Sequence, residues 1–297
     1  MGGNKSLSGP SGRVIAHYGL RVHIKTGDGV VEWKPPRRES WVVGDMVVFD
    51  NGRPKTIAPR RTELARIAAD GARQPLAANL DSLLIVTACG SAYKPQLIDR
   101  FIVSARHAGL EPSVILNKID GPDSNMFINM AAMYEKYGVA LRKVCALTGE
   151  GMVELTASLA GRVSALVGES GVGKTSILNR IAPSLSREVG EVNVKTGAGK
   201  HTTTVSLLVD LPGGGAIIDS PGIRTFTPSG LEPRDVAGFF PSFEKFHSGC
   251  RFRDCLHLTE PGCAVTEAVN EGGLDKERYE SYTRLLQTVK DHSEPEW

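Results

Sequence analysis

The glycine-rich octapeptide GESGVGKT, at residues 168–175, restricts the fold of this chain more than any other segment. It follows the apolar run VSALV and precedes a helical pattern over Lys174–Ile181. Glycines are needed where backbone N–H groups must close around phosphate oxygens, and the N-terminus of the following helix adds positive potential. The octapeptide therefore predicts a strand, a phosphate-binding loop and a helix in direct succession.

Lys174 and Thr175 are the residues of this loop with individual chemical roles. Lys174 is expected to reach the β- and γ-phosphates of a nucleoside triphosphate, and Thr175 to ligate Mg²⁺. A purely structural glycine-rich turn is the alternative. The residues predicted to bind the nucleotide here are Gly168, Glu169, Ser170, Gly171, Val172, Gly173, Lys174, Thr175 and Ser176.

Strand-like and helix-like patterns alternate on both sides of the octapeptide. Alternation of this kind predicts an α/β domain whose sheet is mostly parallel, with helices on both faces. The strand-like runs are 80–87, 113–116, 141–146, 162–167, 204–209 and 216–219, and the helical patterns are 96–108, 125–137, 152–159 and 174–181.

The tetrapeptide Asn117-Lys118-Ile119-Asp120 ends the strand-like run SVIL and resembles the NKxD motif of GTPases. An aspartate here can accept both the N1–H and the exocyclic amino group of guanine, a pair of donors that adenine does not offer. All four residues are therefore predicted to contact GTP. Four residues are a weak signal alone, and a strong one beside a phosphate loop.

Cys145-Ala146-Leu147 ends the next strand-like run. GTPases commonly place a backbone N–H against the guanine O6 at this point, so Ala146 is predicted to bind the base. Cys145 replaces the usual serine. Cys145 and Cys89 are both isolated at strand ends, and a small core residue is their expected role rather than a nucleophile.

The tetrapeptide DSPG, which begins at Asp219, resembles the DxxG element of GTPases. Asp219 is predicted to hold Mg²⁺ through water, and the N–H of Gly222 to sense the γ-phosphate. The preceding segment GKHTTT suits a nucleotide-sensing switch, with Thr203 as the predicted Mg²⁺ ligand and Thr202 as the alternative. A threonine-rich strand start is the other interpretation of this segment.

The order of these motifs differs from that of ordinary GTPases. Those proteins run phosphate loop, switch threonine, DxxG and NKxD, whereas here Asp120 precedes Gly168 by 48 residues. This order predicts a circular permutation, in which the same sheet is cut and rejoined at another place. The second switch is then connected directly to the segment that follows Gly222.

The residue after DSPG is Ile223, not the glutamine that positions water in many GTPases. Intrinsic hydrolysis is therefore expected to be slow, with a missing group supplied from elsewhere. His201 is the candidate catalytic residue, because its segment can move next to the γ-phosphate. A switch histidine that contacts RNA or solvent is the equal alternative.

Three cysteines and one histidine cluster near the C-terminus as Cys250-x₄-Cys255-x-His257-x₅-Cys263. Three thiolates and one imidazole in fourteen residues match a closed tetrahedral zinc site. One structural zinc ion is predicted, and inert buried thiols or a redox pair are the alternatives. His247 is a possible substitute ligand outside this pattern.

The N-terminal region reads as short β-strands and is basic. Residues 1–66 carry 12 Lys/Arg against 6 Asp/Glu, whereas the remainder carries 23 against 27. Short strands at 13–16, 20–24, 30–33, 45–50 and 54–57 predict a barrel of the OB-fold type, a candidate surface for polyanions. The side chains expected to contact RNA are Tyr18, Arg21, Trp33, Lys34, Arg37, Arg38 and Trp41, although at least one tryptophan is expected in the barrel core.

These motifs together resemble the RsgA (YjeQ) family of GTPases that depend on the small ribosomal subunit. The resemblance covers nearly the whole chain, from the barrel through NKID, GESGVGKTS, GKHTTT and DSPG to GCRFRDCLHLTEPGC. It implies GTP and GDP with magnesium as ligands, and the small ribosomal subunit and its rRNA as partners. It also implies hydrolysis that the subunit stimulates during late maturation, followed by release. The CAL tripeptide departs from the family pattern.

The expected organisation is an OB-fold domain at 1–66, a circularly permuted P-loop GTPase domain at 67–230 and a helical zinc-binding module at 231–297. A cytoplasmic monomer without a membrane segment is expected, since the start lacks a signal-peptide core and no apolar run approaches about 18 residues. Two other functions stay open: an RNA-binding switch that nucleotide merely reshapes, and a general ATPase without guanine preference.

Overall fold

A computed structural model of the chain describes residues 11–68, 71–183, 206–219 and 228–292. The first five strands form an antiparallel unit in which β1 pairs with β2 and β4, β2 with β3, and β4 with β5. Their bounds are β1 Ser11–His17, β2 Val22–Thr26, β3 Gly29–Trp33, β4 Met46–Asp50 and β5 Arg53–Ile57. This barrel-like unit agrees with the predicted fold class.

The interior of the barrel-like unit is small and apolar. Along β2, buried and less buried positions alternate, as a strand with one core-facing side requires. Trp41 is 2% exposed and its indole N–H donates to Glu39 Oε2 at 2.7 Å. One tryptophan was expected in this core, and Trp41 occupies it, so it is not a surface residue for stacking on RNA. Its buried neighbours are Val14, Val22, Ile24 and Val47.

A mostly parallel sheet follows in the order β10-β9-β8-β11-β13-β12. Its strands β8 and β11 are buried at every position, which requires helices on both faces. The strands are β8 Ser82–Ala88, β9 Glu111–Asn117, β10 Ala140–Lys143, β11 Val163–Val167, β12 Ser206–Asp210 and β13 Ala216–Asp219. The helices are α1 Pro95–His107, α2 Ser124–Ala132, α3 Met152–Ser158 and α4 Lys174–Ile181.

The path of the chain through this sheet explains the motif order. The chain enters at the central strand β8, runs outward to β10, returns to the centre at β11 and finishes on the other side with β12 and β13. Strands β8, β9, β11 and β13 are mutually parallel, so their carboxyl ends lie at one edge. The phosphate loop, NKID and DSPG each follow one of these ends.

The C-terminal region packs against α1 and is mainly helical. It contains α5 Val236–Phe239, α6 Ala264–Asn270 and α7 Lys276–Lys290, with short 3-10 turns at Pro233–Asp235 and His247–Gly249. Arg278 of α7 donates two 2.6 Å hydrogen bonds to the buried carboxylate of Asp99 in α1, and Ser281 donates a third. A buried ion pair therefore joins the C-terminal region to the parallel sheet's own helix.

Three features differ from the sequence-based expectations. A hairpin of β6 Glu63–Ile67 and β7 Arg73–Ala78 was not predicted, because neither strand alternates cleanly and β7 contains Pro75. The helix expected over 125–137 becomes α2 followed by a 3-10 turn at Met133–Tyr137, which ends at the left-handed Gly138. The strand expected over 141–146 stops at Lys143, because the backbone then curves into a turn.

The expected boundary after residue 66 falls within β6, and β1 also pairs with β12 of the parallel sheet. The barrel-like unit and the sheet are thus hydrogen-bonded to each other. The domain limits at 66, 230 and 297 stay predictions. Among the helices that the structure describes, none combines the length and apolar character needed to cross a membrane.

Candidate nucleotide-binding site and metal centre

The phosphate loop leads from the buried strand β11 into α4. Gly173, just before α4, has φ of +98°, and a Cβ there would overlap the side-chain amide of Asn117. Only glycine fits this close approach without a shift. Thr175 and Ser176 follow in the first turn of α4 and are exposed, so the hydroxyl predicted to ligate Mg²⁺ faces open space.

The Lys174 side chain lies inside the phosphate loop. Its ammonium donates to the carbonyl oxygens of Gly168 at 2.8 Å and Glu169 at 2.6 Å. Glu169 in turn accepts a 2.7 Å ion pair from Lys94, which directly precedes α1. The loop therefore holds one cation at its centre and a second at its rim.

Asp219 ends β13 and lies level with Leu166 in the neighbouring strand β11, one residue before the end of that strand. Burial raises the pKa of the Asp219 carboxyl, while the Lys174 ammonium opposes that rise. Carboxylate and hydroxyl oxygens are the ligands that Mg²⁺ prefers. Asp219 and Thr175 thus offer a donor set that fits magnesium beside the phosphate loop.

Asn117 ties the predicted nucleotide-binding loops together. Its amide nitrogen donates to Val172 O at 2.8 Å, and its amide oxygen accepts from Ala146 N–H at 3.0 Å. The side chain is 2% exposed, so both bonds are shielded from water. Through one buried amide, the phosphate loop, the NKID tetrapeptide and the CAL tripeptide are held in contact.

The rest of the tetrapeptide points its polar groups outward. Lys118 adopts a left-handed backbone with φ of +61°, and its ammonium donates to Gly171 O at 2.7 Å. Asp120 is exposed, whereas Ile119 is half-buried against the sheet core. An exposed carboxylate beside the phosphate loop is the arrangement that recognition of a guanine base requires.

Sequence reasoning missed Arg180, the last-turn arginine of α4. Its guanidinium donates to the carbonyl oxygens of Ala146 at 3.1 Å and Leu147 at 2.7 Å. A single arginine in a helical pattern carries no signal of such a contact. Only the position of α4 against the CAL tripeptide reveals it.

Several predicted residues cannot be placed. His201, Thr202, Thr203 and Gly222 lie outside the described residues. The catalytic role of His201, the Mg²⁺ ligation by Thr203 and the γ-phosphate contact of Gly222 therefore stay predictions.

The four predicted zinc ligands come together in the C-terminal region. Their ligand atoms all lie within 4.8 Å of one another. The Nδ1 of His257 is 3.3 Å from Cys250 Sγ and 3.4 Å from Cys263 Sγ, and the two sulfurs are 3.9 Å apart. Tetrahedral zinc with bonds of about 2.3 Å to sulfur places its ligands about 3.8 Å apart. The donor set therefore fits a zinc ion, and His247 is not part of it.

Supporting groups fix the ligand loop. The Glu260 carboxylate accepts backbone N–H groups of Leu256 at 3.0 Å and Leu258 at 2.7 Å, and Tyr279 OH donates to His257 O at 2.8 Å. Burial and the neighbouring sulfurs of Cys263 and Cys250 raise the pKa of the Cys255 thiol. A bound zinc ion would supply the charge that holds this sulfur as a thiolate.

Comparisons with known proteins agree with this geometry. A family model described as RsgA GTPase matches residues 57–228. The protein of Azotobacter vinelandii named "Small ribosomal subunit biogenesis GTPase RsgA" is 40% identical over 301 residues, which is 97% of this chain and 87% of that protein. A Pseudomonas aeruginosa protein of the same name is 40% identical over 291 residues, covering 95% of this chain and 86% of its own length.

Two solved structures share the fold. YjeQ from Thermotoga maritima superposes with a TM-score of 0.73 at 27% identity, covering 95% of this chain and 98% of its own. YloQ, described as a circularly permuted GTPase, gives a TM-score of 0.71 at 24% identity with full coverage of both chains. Because the family model spans more than half of the sequence and the relatives match nearly all of it, this chain belongs to the RsgA GTPase family.

Proposed function

We propose that this protein hydrolyses GTP while bound to the small ribosomal subunit, during the late maturation of that subunit. The observation that carries the proposal is the buried Asn117 amide, which joins a phosphate loop to a guanine-type tetrapeptide at one sheet edge. The names of the relatives that match 95% or more of the chain supply the ribosomal partner.

Each loop of the site is expected to contact a different part of the nucleotide. Asp120 accepts hydrogen bonds from the N1–H and the amino group of guanine. Lys174 exchanges its hydrogen bonds to the two loop carbonyls for contacts with the phosphates. Thr175, Asp219 and Thr203 would hold a magnesium ion, which supplies positive charge to the phosphates when it is bound. The protein's own contribution is to place these groups around one triphosphate.

Hydrolysis needs a group that orients the attacking water. Ile223 cannot do this, because its side chain has neither a donor nor an acceptor. His201 is our candidate, and a His201→Ala variant should lose the turnover that the small subunit stimulates. Full stimulated turnover by that variant would remove His201 from the mechanism.

On the RNA side, charged and aromatic groups are exposed in two regions of the chain. Lys34, Arg37 and Arg38 lie on the barrel-like unit and are exposed. In the loop between two zinc ligands, Arg251 lies 5.5 Å from the ring centroid of Phe252, which is 42% exposed. Basic groups next to an accessible ring suit phosphates and unstacked bases. A monomer in the cytoplasm could thus contact rRNA through both regions.

Nucleotide competition tests the first half of the proposal. Excess unlabelled GTP should displace labelled GTP, whereas equal ATP should not, because adenine lacks the paired donors that Asp120 accepts. Displacement by ATP as effective as by GTP would identify a general ATPase instead.

Co-sedimentation with purified small subunits tests the second half. The protein should bind the subunits, and its affinity should differ between GDP and a non-hydrolysable GTP analogue. Absence of binding in both nucleotide states would refute the ribosomal partner. Normal subunit maturation by a variant that binds GTP without hydrolysing it would instead support a non-enzymatic switch.

A further inference from the structure

In the turn that follows β10, residues 145–150, one backbone N–H has no hydrogen-bond acceptor among the described residues. Within the described part of the chain, every backbone N–H of this turn except that of Leu147 has a hydrogen-bond acceptor. The pairs are Cys145 N–H to Glu150 O (2.9 Å), Ala146 N–H to Asn117 Oδ1 (3.0 Å), Thr148 N–H to Cys145 Sγ (3.4 Å), Gly149 N–H to Cys145 O (2.8 Å) and Glu150 N–H to Thr148 Oγ1 (3.4 Å). The side chain of Leu147 is 79% exposed, so this donor lies at an accessible point of the turn.

Arg180, on α4, donates hydrogen bonds to the same turn. Its Nε donates to Ala146 O at 3.1 Å and its Nη2 to Leu147 O at 2.7 Å. Its Nη1 lies 3.0 Å from where a Cβ on Gly149 would stand, so the guanidinium lies directly against the backbone there. Across residues 11–68, 71–183, 206–219 and 228–292, Arg180 forms no ion pair. Its hydrogen bonds go to the turn.

Peptide geometry links these two observations. The carbonyl of Ala146 and the N–H of Leu147 belong to one planar trans peptide, in which they point in opposite directions. A cation bonded to that carbonyl therefore fixes the direction of the N–H, away from α4. It also polarises the peptide, which strengthens the hydrogen bond that the N–H donates.

We infer that Arg180 is a positioning residue for guanine recognition, and that it acts through the Leu147 N–H as donor to the guanine O6. This inference rests on the proposed function, because it needs the base to lie between NKID and the CAL tripeptide. It moves the expected backbone contact from Ala146, whose N–H is already bonded to Asn117, to the next residue.

Binding of GDP and 6-thio-GDP separates this role from general support of the fold. The two ligands share the phosphates, the N1–H and the amino group, but sulfur at position 6 is the weaker acceptor. The wild type should prefer GDP. In Arg180→Ala, GDP affinity should fall about three- to tenfold while 6-thio-GDP affinity stays nearly unchanged, so that the preference collapses.

The lysine variant and a distant control complete the experiment. Arg180→Lys, with one ammonium in place of a fork, should keep part of the preference. Arg284→Ala, on the exposed face of α7, should leave both affinities unchanged. Equal weakening of both ligands in Arg180→Ala would overturn the inference, since damage to α4 or the phosphate loop acts on both. So would an unchanged preference.

Failure of the inference and failure of the proposed function give different results. If the wild type binds ATP as tightly as GTP, the proposed function fails and the inference fails with it. If the wild type prefers GTP and the Arg180 variants keep the full preference for oxygen over sulfur, only the inference fails.

Discussion

Asp120 is the residue that we propose to select guanine over adenine. It is exposed beside a phosphate loop, and its neighbour Asn117 anchors the tetrapeptide. In Asp120→Asn, GTP affinity should fall by about tenfold or more, because an amide cannot accept from both donors of guanine. Affinity for xanthosine triphosphate should rise, since the amide can donate to the oxygen at C2. Fluorescence titration with both nucleotides measures the switch.

Asp123→Asn is the matched control for that change. Asp123 lies three residues further on, is exposed and forms no side-chain cap of α2. It should leave both affinities unchanged. Unaltered GTP affinity in Asp120→Asn would contradict the assignment of the base contact.

Asn117 should matter for stability as well as for binding. Asn117→Ala leaves the Val172 carbonyl and the Ala146 N–H without their buried partner, at a cost of about 1–3 kcal/mol in the free energy of unfolding. Nucleotide affinity should fall with it, because three loops lose their link. Urea denaturation and nucleotide titration measure the two effects. Asn179→Ala, exposed on α4, is the control, and equal effects of both variants would refute the role given to Asn117.

Residues that bind a ligand directly through a characteristic chemical group could be predicted from the sequence. Residues that only position those groups could not. The Cys250, Cys255, His257 and Cys263 set was predicted because thiolates and imidazole at that spacing have few other uses. Arg180 was not, because an arginine on a helix is ordinary until the helix is placed against its target. The same holds for Glu260, whose carboxylate accepts nearby backbone N–H groups.

Among the elements, the zinc-ligand loop depends on something other than regular structure. Between the 3-10 turn His247–Gly249 and α6, the described backbone forms neither helix nor strand. Such a segment has little core of its own, so a bound metal ion would supply much of its stability. The loop packs against the buried aromatic residues Phe243 and Tyr282.

Removing the metal should therefore loosen this element selectively. We expect one zinc ion per chain by elemental analysis, and its chelation should open residues 250–263 to proteolysis. Cys255→Ser should reproduce the effect, because it deletes a buried ligand, whereas Cys89→Ser should retain zinc. A metal-free protein that resists cleavage as well as the zinc-loaded form would contradict a structural role for the ion.

Helices α1 and α7 should behave as one element because of the buried Asp99–Arg278 pair. Arg278 is 4% exposed and also lies 5.5 Å from the ring centroid of Tyr134. Asp99→Ala leaves a buried guanidinium without its counter-charge, which should cost about 3–5 kcal/mol in urea denaturation. Glu280→Ala breaks only an exposed pair with Arg284 and should cost less than about 1 kcal/mol. Equal losses in the free energy of unfolding in the two variants would contradict a larger contribution of the buried pair.

Strongly periodic elements could be predicted with nearly correct limits, and elements defined by distant pairing could not. Helix α4, Lys174–Ile181, begins and ends where expected. The β6–β7 hairpin was missed, since its strands are stabilised by contacts with the barrel-like unit. Asn79, just after β7, shows this by donating to Gly44 O at 2.9 Å.

At the scale of the whole molecule, the barrel-like unit is continuous with the nucleotide-binding sheet. Ala16 of β1 pairs with Leu207 of β12, across nearly two hundred residues of sequence. No local pattern in the sequence predicts such a contact. This pairing joins the strands of the barrel-like unit to the sheet that carries the phosphate loop.

The structure shows where the exposed basic side chains of residues 1–66 lie. The exposed groups Lys34, Arg37 and Arg38 belong to a unit fastened to one side of the sheet, while α7 fastens the zinc region to α1. We propose that these two units contact the same RNA partner. We expect the state of the bound nucleotide to control the lifetime of that RNA contact.

The most direct test is the rate of GTP hydrolysis with and without purified small ribosomal subunits. Hydrolysis alone should be slow, and intact small subunits should raise the turnover at least about tenfold, because the group missing at Ile223 becomes available only there. Large subunits should not replace them, and Lys174→Ala should abolish turnover in both conditions. A rate that is the same with and without small subunits would contradict the account at its centre.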